Sequence, residues 1–492
     1  MKTKICFFLW LFLSALNSVA QNKIESLNQY FKKLYEYQQF NGNVLIADHG
    51  KIIYEKSFGY ADFPNKRLNN SNSSFPIASI TKTITSTAIL QLRDKGKLEI
   101  NDLVIKYLPD FPYPTLTLKN LLSHTSGLPI YDDLFFSIIS RHPDTVFTNK
   151  DLLPTLIGAK LPLSFQPGSD FQYNNVNFNI LAIVIEKISG LSYNEYLQKN
   201  IFQPAGMSRS SLSEFFKRKD QDLSKLYSFK HTYSYELEEP DTTAEFHGNK
   251  GILHFNFHGH GDAISTAADL LKYDQALQND VLICKESMNL AFTPVKLTNG
   301  QDNIQKYGLG WIMKADTINE KIVRHDGGLP GLRSILVRNL TQHQTIILID
   351  NTGNNVIPLS NDVLKILNGI NITQPTKSGA RTYSTILLKS GIAEARNKLT
   401  MLKQNTLMYS FDENELNLIG YEFMANNQND YALDVFKLNS ELFPSSWNTF
   451  DSYGEILLKM GRKEEAIKMY QKSMLLNPAN QNGKKVLEEI LK

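Results

Sequence analysis

Ser79 and Lys82 are the residues whose types and spacing most directly predict chemistry. No other serine in the chain lies three residues before a lysine. On the first turn of a helix, residues i and i+3 share a face, so the Lys82 ammonium can come within hydrogen-bond reach of the Ser79 hydroxyl. Residues 75–78 are apolar and turn-prone, which predicts Ser79 at the N-terminus of a buried helix, where peptide N–H groups point at developing negative charge. Alone, so short a pattern is common by chance.

Tyr173 and Asn175 form a second candidate element, just after a polar turn at 167–171. A nearby lysine ammonium favours the phenolate, so Tyr173 could act as a general base despite a reference pKa of about 10. Asn175 could bridge the lysine and a substrate amide. In isolation, a half-buried tyrosine in a polar turn is the better explanation of the same residues.

The third element, 325–328, reads His-Asp-Gly-Gly and follows a predicted strand at 321–324. Glycines there let a substrate backbone approach the strand edge, and a free N–H can complete an oxyanion hole with the N–H of Ser79. A plain strand-terminal turn is the alternative. The ordered trio, more than any single member, favours an active site.

The trio Ser79-x-x-Lys82, Tyr173-x-Asn175 and His325-x-Gly327 resembles the serine β-lactamase and penicillin-binding protein family, nearest its class C and D-alanyl-D-alanine carboxypeptidase branch. Three flanking stretches are similar to family segments: HTSGL within 121–128, the STxxDL helix start within 264–270, and YGLGW at 307–311. The resemblance covers about residues 22–369.

The resemblance implies a role for each matching residue and requires no metal or organic cofactor. In it, Ser79 attacks a carbonyl and forms an acyl-enzyme, Lys82 and Tyr173 move its proton and then activate water, Asn175 holds Lys82 and the substrate, His325 lines the pocket, and Ser79 and Gly328 donate the oxyanion-hole N–H groups.

The third element departs from class C β-lactamases, which usually carry Lys-Thr-Gly where this chain has His325-Asp326-Gly327. The lysine of that motif helps to bind the carboxylate of penicillins, and the His-x-Gly form is seen more often in related D-peptidases and esterases. The resemblance therefore implies cleavage of a peptide, amide or ester, with cell-wall D-peptides and small esters ahead of β-lactams. The alternative, from another functional class, is a catalytically inactive recognition protein that acts through repeats in its C-terminal part.

The elements that must position these residues are predicted from hydrophobic alternation. Runs at 43–47 and 51–58 flank a turn at Gly50 and predict a hairpin, and 321–324, 334–338 and 345–349 predict further strands. A mostly helical stretch from 81 to 274 lies between them, and a helix at 361–367 closes the domain. The prediction is an α+β fold, an antiparallel sheet flanked by terminal helices with a large helical insert.

The C-terminal part repeats itself after a predicted linker at 374–379. Five residues recur 34 positions later in a tetratricopeptide pattern: Gly420, Ala432, Phe436, Leu442 and Pro444 return as Gly454, Ala466, Tyr470, Leu476 and Pro478. We therefore predict a β-lactamase-like hydrolase domain at 21–373 and a tetratricopeptide-like domain at 380–492 that docks a protein partner and takes no part in bond cleavage.

The N-terminus predicts export. Lys2 and Lys4 precede an apolar run that ends at a small-residue site, so residues 1–20 read as a signal peptide cleaved after Ala20, and a secreted or periplasmic location follows. The run falls short of the roughly 20 residues needed to span a bilayer. The net charge of +3 is too small to attract nucleic acid. Cys284 is the one cysteine outside the signal peptide, so the mature chain is expected to have no internal disulfide.

Four histidines, His247, His254, His258 and His260, crowd into one stretch and raise the question of a zinc site. The spacing fits no helix face and no cysteine lies nearby, so we expect a loop that borders the cleft, with no metal. His124 is expected to stabilise a turn through its ring nitrogens. Arg333 and Arg338 could meet a substrate carboxylate, although solvated strand residues are the simpler interpretation.

Overall fold

The structure, a computed structural model, describes residues 22–142, 144–212, 221–240, 255–313 and 320–491. The predicted signal peptide (1–20), His247 and His254 lie outside these residues. The chain forms two compact units. The first comprises the described residues up to Phe31, Gln39–Ser228 and Glu239–Ile372, and the second comprises Lys32–Gln38, Phe229–Glu238 and the described residues from Thr373 onward.

A six-stranded antiparallel sheet forms the centre of the first unit. Its strands are β1 (Gly42–Asp48), β2 (Lys51–Phe58), β3 (Ile312–Met313), β4 (Ile322–Leu329), β5 (Leu332–Asn339) and β6 (Gln344–Asp350), in the order β3-β4-β5-β6-β1-β2. Strands from both ends of the unit meet in the middle, because β1 pairs with β6 along its whole length. His49 and Gly50 both have positive φ, as a two-residue hairpin turn between β1 and β2 requires.

Most helices of this unit come from the segment between β2 and β3. The helices are α1 (22–36, of which residues 32–36 are assigned to the second unit), α2 (Thr81–Asp94), α3 (Leu118–Leu122), α4 (Tyr131–Arg141), α5 (Asn149–Ala159), α6 (Asn175–Ser189), α7 (Tyr193–Leu197), α8 (Gln203–Ala205), α9 (Ala267–Gln278), α10 (Lys285–Ala291) and α11 (Val356–Leu367). The predicted α+β fold is confirmed. Two predicted bounds were too short, since α11 begins at Val356 and β4 continues to Leu329. The sequence 325–328 therefore lies inside a strand and is not a terminal turn.

Short paired strands complete the description. Those of the first unit are Tyr60–Asp62, Arg67–Leu68, Phe75–Pro76, Phe147–Thr148, Ser211–Leu212, Phe255–Asn256 and Ala263–Ser265; the remaining pairs are Ser228–Phe229 with Leu237–Glu238, and Lys377–Ser378 with Tyr409–Ser410. Among the residues that the structure describes, no helix combines the length and apolar character needed to cross a bilayer.

The second unit is mainly helical. Its helices are α12 (Gly379–Gln404), α13 (Glu413–Ala425), α14 (Asn429–Leu442), α15 (Trp447–Lys459), α16 (Lys463–Leu476) and α17 (Gln481–Ile490), so the pair α13–α14 recurs 34 residues later as α15–α16. A Cβ on Gly420 would come 2.6 Å from the Phe436 ring, and one on Gly454 would come 3.0 Å from the Tyr470 ring. The same close helix crossing thus occurs in both pairs.

A β-hairpin, Phe229–Glu238, belongs to this second unit although it comes from the middle of the chain. The Tyr233 ring stacks on Phe423 at a centroid distance of 4.6 Å. His231 Nδ1 lies 2.7 Å from a carboxylate oxygen of Glu422. This hairpin lies within the range predicted for the hydrolase domain. The prediction differs from the structure because no local sequence pattern indicates aromatic packing against helices two hundred residues away.

Candidate active site

Ser79 lies in a 3-10 turn, Ala78–Ile80, immediately before α2. Ala78 has a φ of 45°, a left-handed conformation that is strained for a residue with a Cβ. The turn is held to the neighbouring strand by the N–H of Ile77, which donates to the carbonyl of Ala263 at 2.9 Å. Ser79 thus stands at the start of a buried helix, as predicted.

Lys82 is fully buried and uses its Nζ atom twice. Nζ donates to Ser79 Oγ at 3.0 Å and to the backbone carbonyl of His260 at 2.7 Å. Burial lowers the pKa of Lys82 well below its usual value, and the negative charges of Asp262 and Asp326 only partly oppose this effect. The neutral amine, which can accept a proton from Ser79, is therefore favoured.

Tyr173 faces the same pair. Lys82 Nζ lies 4.9 Å from the centre of its ring, and the phenol hydrogen-bonds to Ser79. Burial raises the pKa of Tyr173, the hydrogen bond with Ser79 lowers it, and the charge of Asp326 raises it further. Lys82 is not among the groups that shift this pKa, so the expectation that the lysine would favour the phenolate is not supported. The shift favours the protonated phenol, although the residue as a whole is 41% exposed.

Among the described residues, no hydrogen bond joins Asn175 to Lys82, which is the contact that the resemblance implied. Asn175 is the first residue of α6, and its Oδ1 atom is buried with no hydrogen-bond partner among the described residues. The His260 carbonyl serves Lys82 instead. It reaches the lysine because Thr85 Oγ1 donates to the carbonyl of Gly259 at 2.6 Å and the N–H of Ala263 donates to Thr81 Oγ1 at 3.1 Å, which ties the loop to α2.

The loop at 258–262 holds the two described members of the histidine cluster. His258 Nδ1 lies 2.6 Å from the Asp262 carboxylate, and His260 Nδ1 lies 2.9 Å from the side-chain amide of Asn179. Within the described ranges, no group of three or more His, Cys, Asp or Glu side chains is arranged to hold a metal ion. The sequence predicts this loop beside the cleft. It does not predict that the His260 carbonyl accepts from Lys82, because no side-chain motif reveals a backbone acceptor.

His325 is buried on β4, and both of its ring nitrogens form hydrogen bonds. Nδ1 lies 2.7 Å from the carbonyl oxygen of Asp326, so this nitrogen carries the proton, and Nε2 accepts from the Tyr307 hydroxyl at 2.9 Å. Burial, reinforced by the charge of Lys82, lowers the pKa of His325 to about 3. The residue that stands where class C enzymes carry a lysine is therefore a neutral ring.

Gly327 and Gly328 differ in what surrounds them. A Cβ on Gly327 would come 2.3 Å from the carbonyl oxygen of Ile77 and 3.1 Å from the Cβ of Ala78. Gly327 therefore lets β4 approach the nucleophile's own turn, whereas the sequence analysis attributed the glycine to substrate approach. The atoms nearest to a Cβ on Gly328 would belong to the flexible end of the Arg333 side chain. In the described part of the chain, β3 pairs with Val323 and Arg324 alone, so Gly328 lies on an uncovered edge.

These elements enclose a cleft of about 390 Å³ lined by Ser79, Phe171, Tyr173, Gln305, Tyr307, Ile312, Arg324, His325, Asp326, Gly328 and Ile357. Its arginine is Arg324, 3.5 Å from the Asp326 carboxylate, which the sequence analysis did not single out. Arg338 is not a solvated residue. It is buried against Asp274 and stacks on Phe292 and Trp311, while Arg333 donates to the carbonyls of Leu329 and Leu332.

Comparisons with known proteins agree with this geometry. The Beta-lactamase family model matches residues 27–361. Penicillin-binding protein 4* of Bacillus subtilis (strain 168) is 36% identical over 332 residues, 67% of this chain and 72% of that protein. A solved penicillin binding protein from Bacillus halodurans is 26% identical, with a TM-score of 0.56, over 69% of this chain and 98% of that one. D-amino acid amidase from Ochrobactrum anthropi SV3 shares the fold at 20% identity and a TM-score of 0.55, over 72% and 99%. This chain belongs to the β-lactamase family of serine hydrolases.

Proposed function

We propose that this protein cleaves an amide, peptide or ester through an acyl-enzyme formed on Ser79. The observation that carries the proposal is the 3.0 Å hydrogen bond between Lys82 Nζ and Ser79 Oγ. A buried lysine with a lowered pKa is suited to taking the serine proton, because burial favours its neutral form.

In the proposed mechanism, neutral Lys82 takes the proton of Ser79 while Oγ bonds to the substrate carbonyl carbon. The backbone N–H groups of Ser79 and Gly328 stabilise the oxyanion. The carbonyl re-forms as the bond to the leaving group breaks, and the phenol of Tyr173 donates a proton to that group and recovers one from Lys82. Water then attacks the acyl carbon as neutral Lys82 takes one of its protons, and Lys82 passes that proton to Ser79 Oγ as the acyl–Oγ bond breaks, which releases the acid and free Ser79.

The lining of the cleft favours D-peptides and small esters over β-lactams. His325 is neutral, so it cannot supply the charge that the lysine of a Lys-Thr-Gly motif offers to a carboxylate. The cation that lines the cleft is Arg324, and the nearby Asp326 carboxylate partly satisfies it. The D-amino acid amidase that shares the fold supports the same substrate class.

Covalent labelling tests the proposal. The full chain is incubated with a fluorescent fluorophosphonate and, separately, with a fluorescent penicillin, and hydrolysis of p-nitrophenyl acetate is followed in parallel. Ser79→Ala should abolish labelling and lower turnover by about 10³-fold or more, because it removes only the nucleophilic oxygen. Ser140→Ala, which changes an exposed serine on α4, is the matched control. If Ser79→Ala keeps more than a tenth of the activity, Ser79 is not the nucleophile.

We also propose export, with cleavage after Ala20, on the strength of Lys2, Lys4 and the apolar run that follows them. N-terminal sequencing of protein recovered from the envelope fraction should begin at Gln21. Recovery of a chain that still begins at Met1 in the cytosol would contradict it.

For the second unit we propose tetratricopeptide-like repeats that bind a protein segment. Support comes from the 34-residue recurrence of helix pairs and from the chain's own hairpin, whose Tyr233 stacks on Phe423 of α13. Cross-linking of the full chain in its native host, followed by mass spectrometry, should recover one partner linked to lysines of α15–α17. Cross-links confined to the hydrolase unit would contradict a docking role for the repeats.

A further inference from the structure

His124 is a buried histidine for which the catalytic scheme above has no use. It lies in the HTSGL segment, is completely buried and has a φ of 59°, a left-handed conformation in which its backbone makes a tight turn after α3. Nothing about a simple turn requires a histidine here. Its surroundings indicate a more specific role.

Three contacts connect His124 to Tyr173 and to the residues on either side of it. The N–H of Gln172 donates to the backbone carbonyl of His124 at 3.0 Å. The N–H of Asn174 donates to His124 Nδ1 at 3.1 Å. Between them, the imidazole lies against the Tyr173 ring, with centroids 4.2 Å apart and planes tilted by 35°.

The hydrogen bonds also determine the tautomer of His124. A backbone N–H can only donate, so Nδ1 must be an unprotonated acceptor, and the side-chain amide of Asn177 lies 3.1 Å from the same atom. Burial and the nearby charge of Lys82 lower the pKa of His124 well below its usual value, which keeps the ring neutral. The proton therefore stays on Nε2, which has no hydrogen-bond partner among the described residues.

The same ring also contacts Tyr307, which in turn bonds to the third motif of the site. The centroids of His124 and Tyr307 lie 4.9 Å apart, and the Tyr307 hydroxyl donates to His325. A single side chain thus packs between the tyrosine next to the nucleophile and the tyrosine that holds β4.

We propose that His124 is a positioning residue that clamps residues 172–174 and so holds the Tyr173 hydroxyl against Ser79. This inference rests on the proposed function, because it assigns Tyr173 a part in proton transfer. His124 itself exchanges no proton during turnover. Its Nδ1 acceptor is the essential feature, and the stacked ring is secondary.

Substitutions at position 124 separate these features. His124→Asn keeps an acceptor at the δ position and tolerates the left-handed backbone, whereas His124→Phe keeps the ring and loses the acceptor, and His124→Ala loses both. With an anilide substrate, whose leaving group needs the proton that Tyr173 supplies, we expect kcat to fall about 10- to 100-fold in His124→Ala and His124→Phe with KM within about 3-fold, and to stay within about 5-fold of wild type in His124→Asn.

Ser126→Ala is the matched control. Ser126 is buried in the same segment and donates to Asn177 Oδ1 at 2.7 Å, but it makes no ring contact with Tyr173. It should lower Tm about as much as His124→Ala while kcat stays within about 2-fold of wild type. Equal kcat in wild type and His124→Ala would overturn the clamp. An inactive but folded His124→Asn would also overturn it and would indicate proton transfer by the imidazole. Failure of wild type to label with fluorophosphonate would instead refute the proposed function.

Discussion

Lys82 Nζ lies 3.0 Å from Ser79 Oγ and 2.7 Å from the backbone carbonyl of His260, so the lysine is held by the nucleophile on one side and by a loop on the other. These two acceptors orient the amine. Neither of them is a carboxylate, so neither neutralises a positive charge on Lys82. Burial of Lys82 disfavours the ammonium form, whereas the negative charges of Asp262 and Asp326 favour it. The burial and the charges can therefore be altered by separate substitutions.

Lys82→Arg should abolish acylation. Arginine keeps hydrogen-bond donors at this position, but it stays charged at any accessible pH, so it cannot accept a proton from Ser79. We expect the first-turnover burst with p-nitrophenyl acetate to slow by about 10³-fold or more. Lys95→Arg, just beyond the end of α2, is the control. A burst within tenfold of wild type would mean that another group takes the proton.

Asp326→Asn should move the pH profile of kcat/KM to lower pH. The charge of Asp326 raises the pKa of Lys82, so removing it lowers that pKa further. Since the neutral amine is the active form, activity lost on acidification is then lost at a lower pH than in wild type. The same charge raises the pKa of Tyr173, so the alkaline limb should move in the same direction. Asp170→Asn, at an exposed position, controls for the change in net charge. A shift of the acidic limb to higher pH would contradict this assignment.

Tyr173→Phe should discriminate between leaving groups. Because the raised pKa favours the protonated phenol of Tyr173, its loss removes a proton donor, and the effect should be large only where the leaving group needs protonation. We expect kcat for an anilide or peptide to fall about 10²- to 10⁴-fold, with a much smaller fall for the p-nitrophenyl ester. Equal losses on both substrates would assign Tyr173 to activation of Ser79.

Gly327→Ala and Gly328→Ala should differ in stability. A methyl group at Gly327 collides with the backbone of Ile77, whereas one at Gly328 meets the movable end of Arg333. Overpacking of this kind costs about 1–3 kcal/mol, so Gly327→Ala should lower the free energy of unfolding by that amount and Gly328→Ala by well under 1 kcal/mol. Urea denaturation measures both. Equal costs would mean that β4 moves away from the nucleophile turn.

Removal of residues after Ile372 should expose the hairpin Phe229–Glu238. Tyr233 is 8% exposed in the full chain and would lose Phe423, and His231 would lose Glu422. We expect the truncated chain to aggregate on size-exclusion chromatography, and replacement of Phe229, Tyr233 and Tyr235 by serine to restore a soluble monomer. That soluble form should hydrolyse p-nitrophenyl acetate within a few-fold of the full chain. Total loss of hydrolysis in it would contradict a separate repeat domain.

The sequence by itself determined the fold class and the identity of the family. Strand alternation at both ends, the Gly50 turn and the motifs at 79–82, 173–175 and 325–328 are local patterns, and local patterns follow from which residues neighbour each other in the chain. The 34-residue recurrence of the C-terminal helices was visible for the same reason.

Only the tertiary structure decided the electrostatics and the unexpected contacts. The direction of the Tyr173 pKa depends on burial by distant segments, which a motif cannot report. The acceptor for Lys82 is a backbone carbonyl, and every residue has one, so composition cannot single out His260. Gly327 faces Ile77, and the hairpin Phe229–Glu238 belongs to the helical unit. Both relationships join residues that are far apart in the sequence. Such contacts depend on three-dimensional packing, whereas motifs depend on spacing along the chain.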